Sequence, residues 1–546
     1  MKKIALFFLL VFSQIIFSAS KITETEKLAA TCKVWGFLKY YHPKVANGEV
    51  NWDNQLLEKL PKIEKAQTKE EFSLILENWI DELGPIKEIA PIPTPKDVKF
   101  FDKNFDLSWF NNKVFSRRLS KKLKFIEENR FQSNVEFGPD FDSFKSLKNY
   151  FDLDYNSKGS RILMLFVYWN VIEYYFPYKY IMDQKWDLSL EQTLPLVSDA
   201  KNESDFYIAM RKMVTNLNDS HVEFFLYKSL KSLKYYFPAT GKIIDEKLVV
   251  TNILGDSLAE ADNIKIGTVI TKINGKTIKE LALENRDLIC ASNEVAYFDK
   301  LVTPILRNDS QNVEVEFLKN GKYETKSMIW FSYHDSHRNE FKKGATKKKE
   351  RFKLLDNNIG YVDMGIIKEK HIPDMIQALK STKAIVFDMR NYPQNTWKEI
   401  SDFLNSQEKS FCIYTMPYPN YPGRYVWTEE RKCGFENKDN YKGKVIVLLN
   451  EDSISQSEWT AMSFQTANNT TIIGSQTAGA DGNAFEFDFK GFHTIYSAIG
   501  VYYPDGRETQ RIGIVPDIEV KPTIKGIQEG KDEVLDRALV FIETGK

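Results

Sequence analysis

The second half of the chain alternates between two periods of hydrophobic and polar positions. Short β-branched runs such as KAIVFDM (383–389) and KVIVLLN (444–450) predict buried strands. Stretches with apolar residues three or four positions apart, such as EISDFL (399–404) and SEWTAMSF (457–464), predict amphipathic helices that cover those strands. This order is typical of a mostly parallel sheet covered by helices, and ligands bind such sheets at the carboxyl ends of the strands.

The middle of the chain has a different pattern, with short alternating strands and two Asn-Gly turns. The segments KIIDEKLVVTNIL (242–254) and NVEVEFLKNGKYETKSMIW (312–330) predict antiparallel strands and a hairpin. The segment IGTVITKINGK (266–276) resembles the glycine-containing strand and turn of a PDZ domain, with Thr268 where that family usually has an acid. The resemblance implies a module that binds an extended peptide as an added strand.

The first half of the chain contains a repeated helical element. The segment VWGFLKYYHP (34–43) recurs at a constant offset as YWNVIEYYFP (168–177), and a Trp-Asp pair follows each copy. Apolar residues at helical spacing precede each Tyr-Tyr pair, and the proline ends the predicted helix. We interpret the repeat as a structural pair that packs its aromatic residues, in preference to a ligand site.

These patterns together predict a multi-domain α+β protein. The first residues, MKKIALFFLLVFSQIIFSAS, combine a Lys-Lys head, an apolar run shorter than the roughly 20 residues of a membrane span, and small residues at a cleavage site. They predict a secretory signal, and hence a periplasmic or extracellular protein without a stable membrane span. The predicted parts are a signal peptide (1–20), an N-terminal helical region (21–120), a second helical region that repeats the first (121–235), a PDZ-like module (236–335), an α/β domain (350–526) and a C-terminal helix (527–546).

Composition narrows the classes of partner. The 75 basic residues balance 75 acidic residues, so no electrostatic footprint for nucleic acid is present. The cysteine spacings match no zinc pattern, and the pair His334 and His337 lacks a third ligand, so no metal or other cofactor is expected. A disulfide between Cys412 and Cys433 and two buried free thiols are both compatible with the sequence.

The loop after KVIVLLN carries the candidate chemistry. Ser453, Ser455 and Ser457 alternate in SISQSE (453–458), where a strand passes into a helix. Ser455 and Glu458 fit an S-x-x-E capping box, in which the serine only satisfies a helix amide. The alternative is a nucleophile, because the amides and dipole of a helix N-terminus stabilise the anion that acyl transfer generates.

Four motifs in order favour the nucleophile. From 359 to 520 the chain resembles the carboxy-terminal processing and tricorn-type serine peptidases, whose catalytic domain has a ClpP/crotonase-like α/β fold. Their motifs DLRxNPGG, SASASE, G.T.G and GR.IQ..GI.PDI correspond to DMRNYPQN (388–395), SISQSE (453–458), GSQTAGADG (474–482) and GRETQRIGIVPDIEV (506–520). The resemblance implies that Ser455 is the nucleophile and that peptides or unfolded proteins are the substrates.

The general base departs from the processing peptidases. Their lysine corresponds to Ala480, whereas the tricorn-type branch uses a histidine that precedes the PDZ-like insert. The segment NLNDSHVEFF (216–225) resembles that histidine motif. The resemblance implies His221 as the base, Ser220 behind it in a relay and, as the orienting acid, Glu508.

The oxyanion hole is expected to use the backbone amides of Gln456 and Gln394. The family's Gly-Gly is replaced by Gln394 and Asn395, which lack the freedom of glycine to turn. The expected function is an exported serine-type endopeptidase that cleaves peptides or unfolded proteins by acyl transfer with a Ser-His pair. The absent lysine and glycines support a second hypothesis, a non-catalytic peptide- or ligand-binding protein on the same fold.

Overall fold

The N-terminal region is built from helices whose first turns are capped by polar side chains. The computed structural model describes residues 21–93, 95–132, 154–226, 234–255, 259–260, 262–332, 350–489 and 492–546. In this region it contains α1 (Glu24–Tyr41), α2 (Pro43–Ala46), α3 (Trp52–Lys65), α4 (Lys69–Glu82), α5 (Arg117–Glu128), α6 (Lys158–Tyr175), α7 (Trp186–Asp199) and α8 (Glu203–Thr215), with the short strands β1 (Phe100–Phe101) and β2 (Glu223–Leu226). Thr23 begins α1 with a capping box to Glu26, and the side chain of Ser116 caps α5.

Several sequence predictions fall outside the described residues. These are the signal peptide (1–20) and the pair His334 and His337. Among the helices that the structure describes, none combines the length and the apolar character needed to cross a bilayer.

The sequence repeat is also a structural repeat. In the first copy, which consists of α1 and α3, the indole N–H of Trp52 donates to the carbonyl of Trp35 at 2.9 Å, and the Trp35 indole donates back at 3.4 Å. In the second copy, α6 and α7, the Trp186 indole donates to the Trp169 carbonyl at 3.0 Å, and the return bond is 3.2 Å. All four rings are buried and their indole N–H groups are satisfied. The repeated tryptophans therefore hold two helical hairpins together.

The two copies meet at Gly36, whose counterpart in the second copy is Asn170. A Cβ atom on Gly36 would lie 1.7 Å from Asn170 Oδ1, and the Asn170 amide is fixed by donation to the carbonyls of Phe166 at 2.9 Å and Cys32 at 3.1 Å. We expect Gly36→Ala to lower the free energy of unfolding by about 1–3 kcal/mol, because overpacking outweighs the helix propensity of alanine. Urea denaturation measures this loss. The same substitution in an Asn170→Ala background should cost less, and an equal cost there would contradict the contact as its cause.

The middle of the chain folds as a β-rich module. Its elements are β3 (Tyr235–Tyr236), β4 (Ala239–Ile244), β5 (Lys247–Ile253), β6 (Val269–Ile273), β7 (Lys276–Thr277), α9 (Ile278–Asn285), α10 (Glu294–Ile305), β8 (Arg307–Asn308), β9 (Asn312–Lys319), β10 (Lys322–Ile329) and β11 (Phe331–Ser332). The larger sheet has the order β10-β9-β6-β5-β4, and its neighbouring strands are antiparallel. Both Asn-Gly turns have positive φ at both residues, 49° and 77° at Asn274 and Gly275 and 50° and 76° at Asn320 and Gly321. This is the conformation that two-residue hairpin turns require, and the predicted β-rich module is confirmed.

The last part of the chain forms the predicted α/β domain. Its strands are β12 (Phe352–Leu355), β13 (Ile359–Asp363), β14 (Ala384–Asp388), β15 (Lys409–Pro417), β16 (Tyr425–Trp427), β17 (Arg431–Cys433), β18 (Lys444–Leu449), β19 (Thr470–Gly474), β20 (Ala484–Phe489), β21 (Phe492–Ser497), β22 (Gly500–Tyr502) and β23 (Ile518–Glu519). Its helices are α11 (Ile372–Leu379), α12 (Trp397–Leu404), α13 (Gln456–Phe464), α14 (Ile524–Gln528) and α15 (Glu533–Thr544). The main sheet has the order β12-β13-β14-β18-β19-β23, and every neighbouring pair except β12 with β13 is parallel. The central strands β14 and β18 are apolar except for Asp388 and Lys444 at their ends, as expected of strands buried on both faces, and the mostly parallel sheet is confirmed.

A small sheet joins the helical region to the α/β domain. β2 pairs with β21, in a register that sets Glu223 opposite Ile495, and β21 pairs with β20. These strands are absent from the sequence predictions, since their alternation is weak. The pairing fixes His221, two residues before β2, against the α/β domain.

The cysteines are buried free thiols in this structure. The Cys433 thiol lies 3.4 Å from the Thr466 hydroxyl and 3.6 Å from the Ser463 carbonyl. Of the two alternatives for Cys412 and Cys433, the structure contains the unpaired form.

Candidate active site

Ser455 lies at the turn between β18 and α13, in a conformation that serine rarely adopts. Its φ is 57° and its ψ is −118°. A residue with a Cβ atom is strained by about 1–3 kcal/mol in such a conformation. Its N–H donates to the Ala480 carbonyl at 2.9 Å and to the Glu458 carboxylate at 3.2 Å, which holds the turn in place. A strained serine at a strand-to-helix turn is the arrangement of the nucleophile elbow, which presents the hydroxyl beyond the carboxyl end of a strand.

The capping box that the sequence predicts is present at this turn. The Glu458 carboxylate accepts from the Ser455 N–H, and the Ser455 side chain faces the Glu458 N–H. A hydroxyl that faces a helix N–H in this way accepts and does not donate, so its proton stays available for transfer to a base.

The two neighbouring serines have a different task. The Ser453 hydroxyl donates to the carbonyl of Met389 at 2.8 Å, and the Ser457 hydroxyl donates to the carbonyl of Asn391 at 2.9 Å. Both acceptors belong to the loop after β14. Ser453 and Ser457 therefore fasten the serine turn to that loop, while Ser455 faces a cavity.

A buried carboxylate, Glu458, organises the turn. It accepts hydrogen bonds from the N–H groups of Ser455 at 3.2 Å, Gly479 at 2.8 Å and Ala480 at 3.0 Å, and from the Thr477 hydroxyl. Burial raises the pKa of Glu458 to about 7, and the four donors act in the opposite direction. Glu458 thereby ties Ser455 to the segment where the processing peptidases have their lysine.

That segment supplies no amine to the site in this structure. Ala480 is buried, and its carbonyl accepts from the Ser455 N–H at 2.9 Å. The next lysine along the chain, Lys490, lies outside the described residues.

His221 is held by its own network. Its Nδ1 lies 2.9 Å from the Ser497 hydroxyl, and its main-chain N–H donates to the Asp219 carboxylate at 3.0 Å. Asp219 is buried and also accepts from the Ser497 N–H at 3.0 Å and from the Gln510 side chain at 3.1 Å. Burial lowers the pKa of the His221 imidazole, Asp219 acts in the opposite direction, and Lys300 lowers it further. The ring is therefore neutral at neutral pH.

His221 and Ser455 reach the same segment of chain but are not bonded to each other. The Ser220 hydroxyl, beside His221, donates to the Ala478 carbonyl at 2.8 Å, and the Ser455 N–H donates to the Ala480 carbonyl at 2.9 Å. Among the hydrogen bonds of the described residues, none joins His221 to Ser455. The imidazole is also absent from the residues that line the cavity beside Ser455.

Ser220 has partners other than the imidazole. Besides its bond to Ala478, its hydroxyl accepts from the Ser292 N–H at 2.9 Å, and its own N–H donates to the Ser292 hydroxyl at 2.8 Å. These bonds fasten the His221 segment in place.

Glu508 also lies in a separate network. It accepts from the Tyr180 hydroxyl at 2.6 Å and pairs with Lys103 at 3.4 Å. The carboxylate beside His221 is instead that of Asp219, two positions earlier. The Asp-x-His spacing in NDSH is the sequence signal that points to it.

The predicted oxyanion donors differ in availability. Gln456 is the first residue of α13, and no described residue accepts its N–H, whereas the Gln394 N–H donates to the Met364 carbonyl at 3.2 Å. Asn395 has φ 56°, the left-handed conformation that glycine adopts readily and asparagine tolerates. Its side-chain oxygen accepts from the side-chain Nε2 of Gln456 at 3.0 Å. The loop therefore turns as a Gly-Gly loop does, although both glycines are replaced.

A cavity of about 340 Å³ opens beside Ser455. It is lined by Tyr392, Asn395, Trp397, Tyr414, Ser455, Gln456, Trp459, Asp481, Asn483, Ile499 and Val501. The rings of Trp397 and Trp459 meet edge to face with their centres 4.5 Å apart. The site thus combines a half-buried serine at a cavity, the N–H of Gln456, which no described residue accepts, and an aromatic wall, an arrangement that suits acyl transfer.

Comparison with known families agrees with this architecture. Residues 358–520 match peptidase family S41, and residues 232–293 match the PDZ domain. The chain contains a peptidase family S41 domain.

Curated relatives of the chain include two proteins named probable CtpA-like serine protease. One, from Staphylococcus haemolyticus (strain JCSC1435), is 24% identical over 330 residues, and another, from Staphylococcus aureus (strain N315), is 26% identical over 325 residues. Each match covers 57% of this chain and 59% of the relative. The chain therefore spans less than two thirds of the length of these relatives.

Solved structures show the same fold around the S41 domain. The structure of mature CPAF complexed with lactacystin aligns with a TM-score of 0.57 at 13% identity, over 71% of this chain and 99% of CPAF. A second structure, the crystal structure of mature CPAF, aligns with a TM-score of 0.55 at 13% identity, over 71% of this chain and 98% of CPAF. The expected arrangement of helical region, PDZ module and S41 domain is confirmed.

The S41 domain contains a buried acid beside Ser455 that the motif comparison does not mark. Asp481 follows Ala480 and is 5% exposed. Among the described residues, neither of its carboxyl oxygens has a hydrogen-bond partner. An acid in a glycine-containing loop is ordinarily solvated, so the sequence contains no sign of its burial.

Proposed function

We propose that the chain is an exported serine endopeptidase that cleaves peptides or unfolded proteins by acyl transfer at Ser455. The observation that carries the proposal is the strained conformation of Ser455, φ 57° and ψ −118°, at a turn that faces a cavity. A serine that served only as a helix cap would occupy an unstrained extended conformation. The S41 domain supports the reaction class, and the apolar run in residues 1–20 supports export.

In the proposed reaction His221 moves the proton. The Ser455 Oγ attacks the scissile carbonyl while the imidazole takes its proton, and the imidazole later gives that proton to the leaving amine. A hydrogen bond from Nδ1–H to the Ser497 hydroxyl leaves the lone pair of His221 on Nε2. Transfer requires Nε2 to come within about 3 Å of the Ser455 hydroxyl, a contact that commonly tightens only when substrate binds.

The geometry favours Asp219 over Glu508 as the acid that stabilises the imidazolium. The Asp219 carboxylate accepts from the main-chain N–H of His221 and from that of Ser497. It therefore fixes the backbone of the histidine and the backbone of the serine whose hydroxyl contacts the ring. Glu508 would first have to leave the Tyr180 hydroxyl. We assign Ser220 a positioning role, because its hydroxyl ties the histidine segment to the carbonyl of Ala478.

The Gln456 N–H is the favoured oxyanion donor, since no described residue accepts it and it belongs to the first turn of α13. The Gln394 N–H would contribute after it exchanges the Met364 carbonyl for the substrate oxyanion. The PDZ module would hold an extended segment of the substrate as an added strand.

The test of this function is hydrolysis of a labelled peptide library together with fluorophosphonate labelling, in the parent and in His221→Ala. We expect stoichiometric labelling of the parent at Ser455, and a loss of about 10²–10⁴-fold in kcat/KM in His221→Ala. The kcat/KM of the parent should rise with pH as the imidazole loses its proton. Its midpoint should lie below 6.5, because burial lowers the pKa of His221.

His493→Ala is the matched control for that variant, because His493 lies on β21, the strand that pairs with β2 just after His221. It should hydrolyse peptides at the parental rate. A His221→Ala enzyme as fast as the parent would remove the histidine from the mechanism. A parent that binds peptides but is neither labelled nor active would instead support the rival function, a non-catalytic binding protein.

A further inference from the structure

The cavity beside Ser455 is lined by a buried acid that has no hydrogen-bond partner among the described residues. Asp481 lines the cavity, is 5% exposed, and has no hydrogen-bond partner for either carboxyl oxygen among the described residues. Leaving a buried carboxyl unpaired is costly, so such a group in a native structure calls for an explanation. A ligand that donates hydrogen bonds to Asp481 would explain why this carboxyl is buried and why it lines the cavity.

The groups around Asp481 do not neutralise it. The charged group that acts on it is Glu458, which has the same sign, and the other titratable neighbours are the hydroxyls of Tyr178, Tyr414 and Tyr503 and the thiol of Cys412. Burial, with Glu458 beside it, raises the pKa of Asp481 well above its usual value.

The arginines beside Tyr414 and Tyr503 engage the rings of those tyrosines. The guanidinium of Arg431 stands 5.2 Å from the ring centre of Tyr414, and that of Arg507 stands 4.3 Å from the ring centre of Tyr503. Within the described part of the chain, no salt bridge is formed by Asp481. No described residue therefore supplies the missing partner.

We propose that this cavity is a specificity pocket for a positively charged side chain of the substrate, lysine or arginine, with Asp481 as its counter-ion. The proposal rests on the peptidase function proposed above and specifies the substrate class for the same site. It assigns Asp481 to substrate recognition and leaves the proton transfer to His221.

The walls of the cavity suit the rest of such a side chain. Trp397, Trp459 and Tyr414 present aromatic surface, on which the methylene stem of lysine or arginine packs and a cation is attracted to the ring face. The Trp459 ring is held between Trp397, at 4.5 Å, and Phe411, at 4.9 Å between ring centres. The aromatic wall is therefore preformed.

The pocket is also adjacent to the nucleophile. The Ser455 N–H donates to the carbonyl of Ala480 at 2.9 Å, and Ala480 is the residue bonded to Asp481. A side chain that reaches Asp481 therefore belongs to a residue next to the bond that Ser455 attacks. Gly482 allows the segment that carries Asp481 to lie close to Ile499, since a Cβ atom at Gly482 would lie 2.1 Å from the Ile499 carbonyl oxygen.

Binding of a cation balances the charge of the pocket. In the free protein burial beside Glu458 raises the pKa of Asp481 and so favours its protonated form, because an ionised carboxyl there has no compensation. When an ammonium or guanidinium group enters, the proton leaves to solvent and a charge-assisted hydrogen bond replaces it. A neutral side chain of the same shape gains no such bond.

The test is binding of a matched set of capped peptides to Ser455→Ala, which cannot turn them over. The peptides share one sequence and differ at a single residue, which is arginine, lysine, citrulline or norleucine. We expect the arginine and lysine peptides to bind at least about 10-fold more tightly than citrulline and norleucine, since a charged hydrogen bond contributes about 1.5–3 kcal/mol. Asp481→Asn in the same background should remove this preference and keep the fold, as judged by its melting temperature.

Glu486→Gln is the charge-matched control, because it removes one negative charge from a side chain that is 73% exposed and lies outside the cavity lining. It should keep the preference for arginine. Equal binding of arginine and citrulline peptides would overturn the proposal, and this comparison needs no Asp481 variant. A preference that survives in Asp481→Asn would overturn it as well.

Fluorophosphonate labelling separates the two proposals. If the parent protein is not labelled but prefers arginine peptides, the result contradicts the peptidase function and supports the cation pocket. Loss of labelling in Asp481→Asn as complete as in Ser455→Ala would overturn the assignment, because Asp481 would then act on the nucleophile.

Discussion

We expect Ser455→Ala to abolish peptide hydrolysis and fluorophosphonate labelling while the fold persists. Removal of a serine nucleophile costs on the order of 10⁶-fold in kcat in a serine peptidase, and what remains comes from binding and the oxyanion donors. Alanine keeps the Cβ atom, so the strain at φ 57° stays and the melting temperature should change little. Kinetics with a labelled peptide, mass spectrometry of the probe adduct and thermal unfolding measure the three effects.

Ser455→Gly separates the strain from the chemistry. Glycine adopts positive φ without steric cost, so this variant should unfold at a higher temperature than the parent, by a gain of about 1 kcal/mol, and should be equally inactive. Ser457→Ala is the matched control. It should keep labelling and activity and lose about 1 kcal/mol of stability, because its hydroxyl donates to the Asn391 carbonyl. A labelled Ser455→Ala protein would contradict the assignment.

The second large effect is expected in Glu458→Gln. This side chain is fully buried and its two oxygens accept from four donors, so an amide would point its NH₂ at two of those donors. Each buried donor left without an acceptor costs about 1–3 kcal/mol, so we expect a loss of about 3 kcal/mol in the free energy of unfolding. Activity should fall as well, because Glu458 holds the Ser455 turn against Ala480.

Chemical denaturation and kinetics on one preparation measure both consequences of that substitution. Glu408→Gln is the control, since Glu408 forms an exposed pair with Lys432 and such pairs contribute about 0–1 kcal/mol. A Glu458→Gln protein with parental stability would show that the four hydrogen bonds do not organise the turn.

The position of the candidate nucleophile could be predicted from local pattern. The strand KVIVLLN, the polar turn and the start of α13 all follow from residues close in sequence, and the motif order selects Ser455 from three serines. What the pattern leaves open is the separate task of each serine. The carbonyls of Met389 and Asn391, which bind Ser453 and Ser457, lie on another strand's loop.

The partners of His221 could be predicted less well. The sequence points to the histidine, but its orienting groups come from the pairing of β2 with β21, which brings Ser497 to Nδ1. Glu508 was the predicted acid from its motif. In the structure the side chain of Gln510, two residues after Glu508, donates to the Asp219 carboxylate. Glu508 itself accepts from the Tyr180 hydroxyl.

By itself the sequence determined the order of the parts, the strands and helices of the parallel sheet, the two hairpin turns, the helical repeat and the serine at the sheet edge. These depend on side-chain period, turn residues and caps, which act over a few positions. Only the tertiary structure decided the φ of Ser455, the network of Glu458, the small sheet that holds His221 and the burial of Asp481. Each of these depends on contacts between segments far apart in the chain, where long-range packing overrides local preference.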